Sequence, residues 1–258
     1  MPNHHDGHAG SSLLWRALVL AEALQDHSEI SQENFAAYTL SPSPTHYKVM
    51  CEKIAQYISS ASQVFYPNSQ EFEMDISHWA NSSSQVPVCS VEPGTPDDVA
   101  SILQQLARVR VPFAVKGGGH TNNLGFSSTP GVHISMTRFN HIVINKDSRT
   151  VEVGAGLTWT DVYAYLVPKG LNVVGGRING VGIAGLTLGG GYSWKTNEYG
   201  LTVDSVTEFH LVSPNGTKMV VTEADKDLWF VLKFILKLYS QTNVWVCLLS
   251  LLRSDIPT

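Results

Sequence analysis

The feature that most limits the fold of this chain is a pair of glycine clusters. In the first, VKGGGHTNNLGF at 115–126, Gly117, Gly118 and Gly119 run straight into His120. The second is GGRINGVGIAGLTLGGGYSW at 175–194, with Gly175, Gly176, Gly180, Gly182, Gly185, Gly189, Gly190 and Gly191. Glycine loses more backbone freedom on folding than any other residue, so such runs interrupt helices and strands. Either cluster alone reads as tight turns. Two of them point to a backbone that another group must approach closely, because bare N–H groups in such loops form a cradle for an anion.

Short regular elements surround the clusters. Met50, Ile54, Tyr57 and Ile58 recur at helical spacing, which predicts a helix over 47–60. VFYP at 64–67 and VCSVEP at 88–93 read as strands. Thr95 then stands as an N-cap, with Pro96 at the first helical position and Asp97 and Asp98 in the first turn. Val99, Ile102, Leu103 and Leu106 form that helix's apolar stripe. Strands are predicted at 111–115, 132–136, 141–145, 150–156 and 171–176, and a helix over 158–170 that stops at Pro168–Gly170. Residues 206–223 read as a hairpin turning at Asn215–Gly216 in type I′ geometry. The fold class is α+β. Residues 1–45, with a polar, histidine-rich start and the linker SPSPT at 41–45, are expected to be peripheral.

Composition removes several function classes. A formal net charge of −5 without a Lys/Arg block argues against nucleic acid as a partner. No run reaches the roughly 20 apolar residues of a membrane span. The apolar stretch Leu13–Leu24 is broken by Arg16 and Glu22, so it is a poor secretory signal. Localisation stays open, and the sequons at Asn81 and Asn215 matter only on the secretory route. Cys51, Cys89 and Cys247 form no C-x-x-C pair, which argues against zinc or an iron–sulfur cluster. Cys51 and Cys89 read equally well as a disulfide or as two buried thiols. His120, His133 and His141 have no ligand spacing, and no H-E-x-x-H occurs, so no metal site is expected.

Phosphate-loop signatures also fail. There is no G-x-x-x-x-G-K-[ST]. GVGIAG at 180–185 matches G-x-G-x-x-G, and Asp204 lies at nearly the required distance, but the GLTLGGG that follows is a poor start for the helix a dinucleotide fold needs.

KGGGH at 116–120 resembles the R-x-G-G-H loop of the FAD-linked oxidases of the vanillyl-alcohol oxidase type, with their PCMH-type FAD-binding domain, and most of all their berberine-bridge-enzyme-like branch. NGVGIAGLTLGGGYSW resembles that family's second FAD loop. EPGTPDDVASILQ at 92–104 and GLTVDSVTEFHLVSPNGT at 200–217 resemble its flanking segments, in the same order, so the resemblance runs over about 47–232. It implies a domain at 46–232 built of two packed α+β subdomains, about 46–150 and 151–232. It implies FAD, held covalently at its 8α-methyl by His120, with Gly117, Gly118 and Gly119 cradling the pyrophosphate. Lys116 stands for the usual arginine, keeping the charge but not the fork. Thr121, Asn122 and Gly125 continue the first loop; Gly176, Gly182, Gly185, Gly189, Gly190 and Tyr192 belong to the second; Asp204 and Val206 fall near the adenine end. Some members add a cysteine tether in the second loop; counting back from Gly182, Ile178 stands at that position, so a single covalent link is expected.

The implied activity is oxidation of a C–H next to oxygen or nitrogen in a small organic substrate, with dioxygen as acceptor. No catalytic base can be named; Tyr192, Trp194 and His210 read as packing or cofactor wall. After DLWFVLK the sequence departs from the family. Residues 233–258 are expected to be an aberrant tail in place of the substrate domain, with VWVCLLSLL at 244–252 an exposed apolar stretch. The competing expectation is an FAD-binding module without turnover.

Overall fold

The computed structural model describes residues 44–147, 149–235 and 249–253. The peripheral segment, Cys247 and most of the expected tail lie outside these residues. The described elements are α1 (Pro44–Tyr57), β1 (Gln63–Phe65), α2 (Gln70–Ile76), β2 (Cys89–Glu92), α3 (Pro96–Val109), β3 (Phe113–Lys116), β4 (Val132–Ser135), β5 (Ile142–Asn145), β6 (Thr150–Gly154), α4 (Trp159–Leu166), α5 (Ile183–Leu188), α6 (Thr196–Tyr199), β7 (Val206–Val212), β8 (Lys218–Val221), α7 (Lys226–Phe230) and β9 (Leu249–Arg253). The α+β class is as expected.

The first sheet has the order β1-β2-β4-β3, with β1 antiparallel to β2 and with β2 and β3 both parallel to β4. Side chains alternate across a strand, so each face can be read from the register. Cys89, Val91, Val132 and Ile134 give a buried apolar face, which joins Met50, Ile54, Val99, Ile102, Leu103 and Leu106 of α1 and α3 in one core. Cys51 of α1 is disulfide-bonded to Cys89 of β2, with Cα atoms 6.3 Å apart, which settles the open question about these two thiols. The opposite face carries Ser90, Lys116, His133 and Ser135, also buried. It is covered in part by α2, whose Asp75 accepts a 2.7 Å hydrogen bond from Ser90 Oγ. α2 escaped the sequence reading because seven residues give too short a window for helical periodicity.

α3 begins where its sequence says it should. Thr95 Oγ1 accepts from the Asp98 amide at 3.1 Å, and Asp98 in turn accepts from Ser59, Ser62 and Thr95 side chains at 2.7 Å each. These bonds fix the chain after α1 to the start of α3.

The second sheet has the order β5-β6-β9-β7-β8, with every neighbouring pair antiparallel. β5 hairpins with β6, which makes it an edge strand of this second sheet. Three further expectations are corrected. Residues 171–176 form no strand; Gly175 and Gly176 lie against the buried indole of Trp159 instead of pairing with a neighbour. The β7–β8 turn is not type I′. Ser213 pairs with Thr217, only Gly216 has positive φ (85°), and the three-residue loop Pro214–Gly216 is the form in which a glycine ends a type I turn. Residues 249–253, expected within the apolar tail, form the strand β9, which pairs with β6 on one side and β7 on the other and satisfies backbone groups that both strands would otherwise leave open.

Candidate functional site

The first glycine loop leaves the end of β3, and the second crosses it. A Cβ built on Gly118 would lie 2.5 Å from the Gly182 amide nitrogen, and one built on Gly182 would lie 2.4 Å from the Gly118 amide nitrogen. The two loops therefore touch backbone to backbone, and neither position has room for a side chain. Gly182 is held there from the other side: Trp159 N donates to Val181 O at 3.0 Å, and Ile183 N donates to Leu157 O at 3.0 Å. α5 (Ile183–Leu188) is capped by Gly182 at its start and Gly189 at its end, so a short helix does form where the glycine content argued against one.

Gly119 adopts φ +64°, a region that favours glycine, and the turn presents His120 at the loop's end. Lys116 folds back beneath it; a Cβ on Gly119 would meet Lys116 Cε at 2.7 Å. Burial holds the Lys116 ammonium below its usual pKa, partly offset by the carboxylates of Asp75 and Glu92. Burial likewise raises Glu92, with Asp75 adding to it, although Arg138 Nε lies 2.7 Å from its carboxylate. His133, on the same face, is pushed down to about 3, first by burial and then by Lys116 and His78. Ser90 gives its one proton to Asp75, so it accepts from His133 Nδ1–H at 3.0 Å, and the ring is neutral.

The later glycines join the same region. Thr202 N donates to Gly191 O at 2.9 Å and Val203 N to Gly190 O at 3.0 Å, which ties the turn containing Asp204 to the second loop. Asp204 itself caps that turn, accepting from Leu201 N at 2.8 Å, and Val206 is a core residue at the start of β7. Gly176 packs on Trp159, and a Cβ on Gly185 would meet nothing within 4 Å. Tyr192 is half exposed, with Arg177 4.6 Å over its ring and 4.9 Å over that of exposed Trp194. Thr121 N donates to Gly119 O at 3.1 Å, and Asn122 is exposed. Gly125 stands apart, lining a cleft of about 410 Å³ with Arg110, Phe113 and Thr129.

Sequence reasoning missed the segment that clasps the first loop. Trp79 N donates to Gly119 O at 3.1 Å, Ser83 Oγ donates to Thr121 O at 2.8 Å, and the Trp79 ring stacks on His120 with centroids 4.8 Å apart and planes 22° apart. The only signal in SHWANSSS is a lone tryptophan in a polar stretch, and nothing local links it to His120.

Whether these residues suit FAD can be asked of the polar atoms. Among the described residues, four buried side-chain atoms have no hydrogen-bond partner: His120 Nε2, His133 Nε2, Trp159 Nε1 and Thr202 Oγ1. Three of the four stand on the glycine loops, Trp159 against Gly176 and Thr202 against Gly191. Buried polar groups are costly to leave unpaired, so orphans beside the two glycine loops suit a site built for a polar ligand. The loops fit the group. No three or more His, Cys, Asp or Glu side chains gather as a metal site among the described residues.

Residues 87–222 match the FAD binding domain family. The chain is 37% identical over 182 residues to the FAD-dependent monooxygenase macF of Penicillium terrestre, covering 68% of this chain and 35% of that protein. It is 36% identical over 176 residues to the FAD-dependent monooxygenase yanF of Aspergillus niger, covering 67% and 30%. It thus spans about a third of the length of these curated relatives. Among solved structures, the BBE-like 1 protein of Physcomitrella patens superposes with a TM-score of 0.68 at 25% identity, over 81% of this chain and 44% of that one. The glucooligosaccharide oxidase of Acremonium strictum, whose flavin is described as 6-S-cysteinyl, 8α-N1-histidyl FAD, shares the fold with a TM-score of 0.67 at 18% identity, over 83% and 42%.

Proposed function

The chain belongs to the FAD-binding domain family, in the PCMH-type, berberine-bridge-enzyme-like form, and on that footing we propose that it binds FAD covalently through His120 and serves an oxidoreductase. The observation that carries this reading is the mutual contact of Gly118 and Gly182, which brings two glycine loops from distant parts of the chain into one cradle. Amides of Gly117, Gly118 and Gly119 receive the pyrophosphate, with the charge of Lys116 beneath them. Gly182, Gly185, Gly189, Gly190 and Tyr192 line the second loop, and the Asp204–Val206 turn stands by the adenine end. The imidazole of His120 is the tether. When bound, FAD supplies acceptance of a hydride from a C–H beside oxygen or nitrogen of a small organic substrate and return of the electrons to dioxygen.

A second reading is an FAD-binding module without turnover. It is favoured by the surroundings of His120, whose stacked neighbour, Trp79, carries no atom that could act as a base.

The test is incubation of the chain with FAD, denaturation and mass spectrometry of its peptides. The flavin is expected on the peptide containing His120 and is expected to vanish in His120→Ala. A denatured chain free of flavin overturns the covalent link, and an unchanged flavin spectrum on mixing overturns FAD binding altogether. Oxygen uptake over a panel of alcohols, sugars and amines then separates turnover from binding alone.

A further inference from the structure

The His120 ring is held by very little. Its Nε2 is buried without a partner, and among the described residues no group hydrogen-bonds to the ring. Its aromatic neighbour is Trp79, stacked at 4.8 Å and 22°. Trp79 is itself fixed relative to the loop, because its amide donates to the carbonyl of Gly119, the residue before His120. Buried His78 precedes Trp79, its Nδ1 2.8 Å from Ile76 O and its Nε2 2.9 Å from Ser127 Oγ, which anchors the segment to the far end of the same loop. Ser83, fully buried, closes the clasp at Thr121. Yet the indole is 68% exposed. An aromatic ring that withdraws so little surface from water contributes little to the core, so its packing role lies in the stack.

We propose that Trp79 is the positioning residue of His120: it sets the plane of the imidazole and shields one of its faces, so that the ring meets the cofactor already oriented. A histidine on a glycine-rich loop with no hydrogen bond to its ring would otherwise sample several rotamers, and each would have to be given up on binding. The stack removes that freedom beforehand. The inference rests on the reading of His120 as the flavin anchor, and the experiment separates the two.

In the FAD-free protein, the histidine ring resonances are followed by NMR, with His120→Gln supplying the assignment. The His120 resonances are expected upfield, in the ring current of the indole. Trp79→Ala returns them to ordinary positions and Trp79→Phe keeps a shift. The thermal midpoint stays near that of the wild type in both variants, since Trp79 is exposed. On titration with FAD, Trp79→Ala is expected to bind about two- to tenfold more weakly, the range a stacked pair is worth, and Trp79→Phe within about twofold of wild type. Wild-type resonances without an upfield shift, or an alanine variant with wild-type resonances and affinity, overturn the inference. If the upfield shift is present and the wild type takes up no FAD, the flavin reading falls and the orientation of His120 by Trp79 stands.

Discussion

Gly118 shows how a single hydrogen atom in place of a methyl group can decide a site. Alanine there would put its Cβ 2.5 Å from Gly182 N and 2.6 Å from Gly182 Cα, and both are backbone that cannot rotate aside. The loops would have to part, at roughly 1–3 kcal/mol for an overpacked contact. Gly118→Ala is therefore expected to weaken FAD binding by about tenfold or more while far-ultraviolet circular dichroism stays unchanged. These glycines were legible in the sequence because few other demands produce two such clusters. Trp79 was not legible: its meaning comes from a contact across 41 positions of chain (120 − 79), and no spacing rule reports that. Asp204 was legible as a nearby residue but not in its actual bond, a cap on its own turn.

At the scale of elements, α3 was the most readable, because its N-terminus is written in local chemistry that tertiary contacts do not override. The same chemistry sets a pH dependence. Burial alone would raise the Asp98 carboxyl, but the hydrogen bonds from Ser59, Thr95 and Ser62 outweigh it and hold the pKa below the usual value. A depressed folded pKa contributes stability that is present above the unfolded value, about 3.9, and lost as pH falls through the folded one. Denaturant midpoints of the wild type should fall on acidification below about pH 4, and Asp98→Asn should be less stable at pH 7 by roughly 2 kcal/mol with a flatter acid limb. Equal midpoints at neutral pH would remove the network from the account. α2 and β9 were unreadable for opposite reasons. α2 is too short to show a period, and it buries Asp75 where an apolar residue would have signalled a core. β9 is apolar enough, but a strand's place in a sheet is decided by which edges stand open, and that is known only once the other strands are placed.

For the molecule as a whole, the first sheet is stapled and the second is not. The Cys51–Cys89 bond closes a loop with a sequence separation of 38, for which restriction of the unfolded chain is worth about 3–4 kcal/mol. A thermal melt in reductant, or of the Cys51→Ser/Cys89→Ser double variant, should show that loss and lower the midpoint by several degrees; superimposable melts with and without reductant would show that the bond adds nothing. The second sheet depends on pairing order instead. β5–β6 and β7–β8 can each form as a local hairpin, yet they share no ladder with one another, and every strand-to-strand bond between them passes through β9. During synthesis, β6 must therefore wait for about a hundred further residues to emerge before its partner exists, a separation that makes for slow, late closure. Until residue 253 is clear of the ribosome, both hairpins offer an open inner edge, and what the chain needs in that interval is protection from other chains.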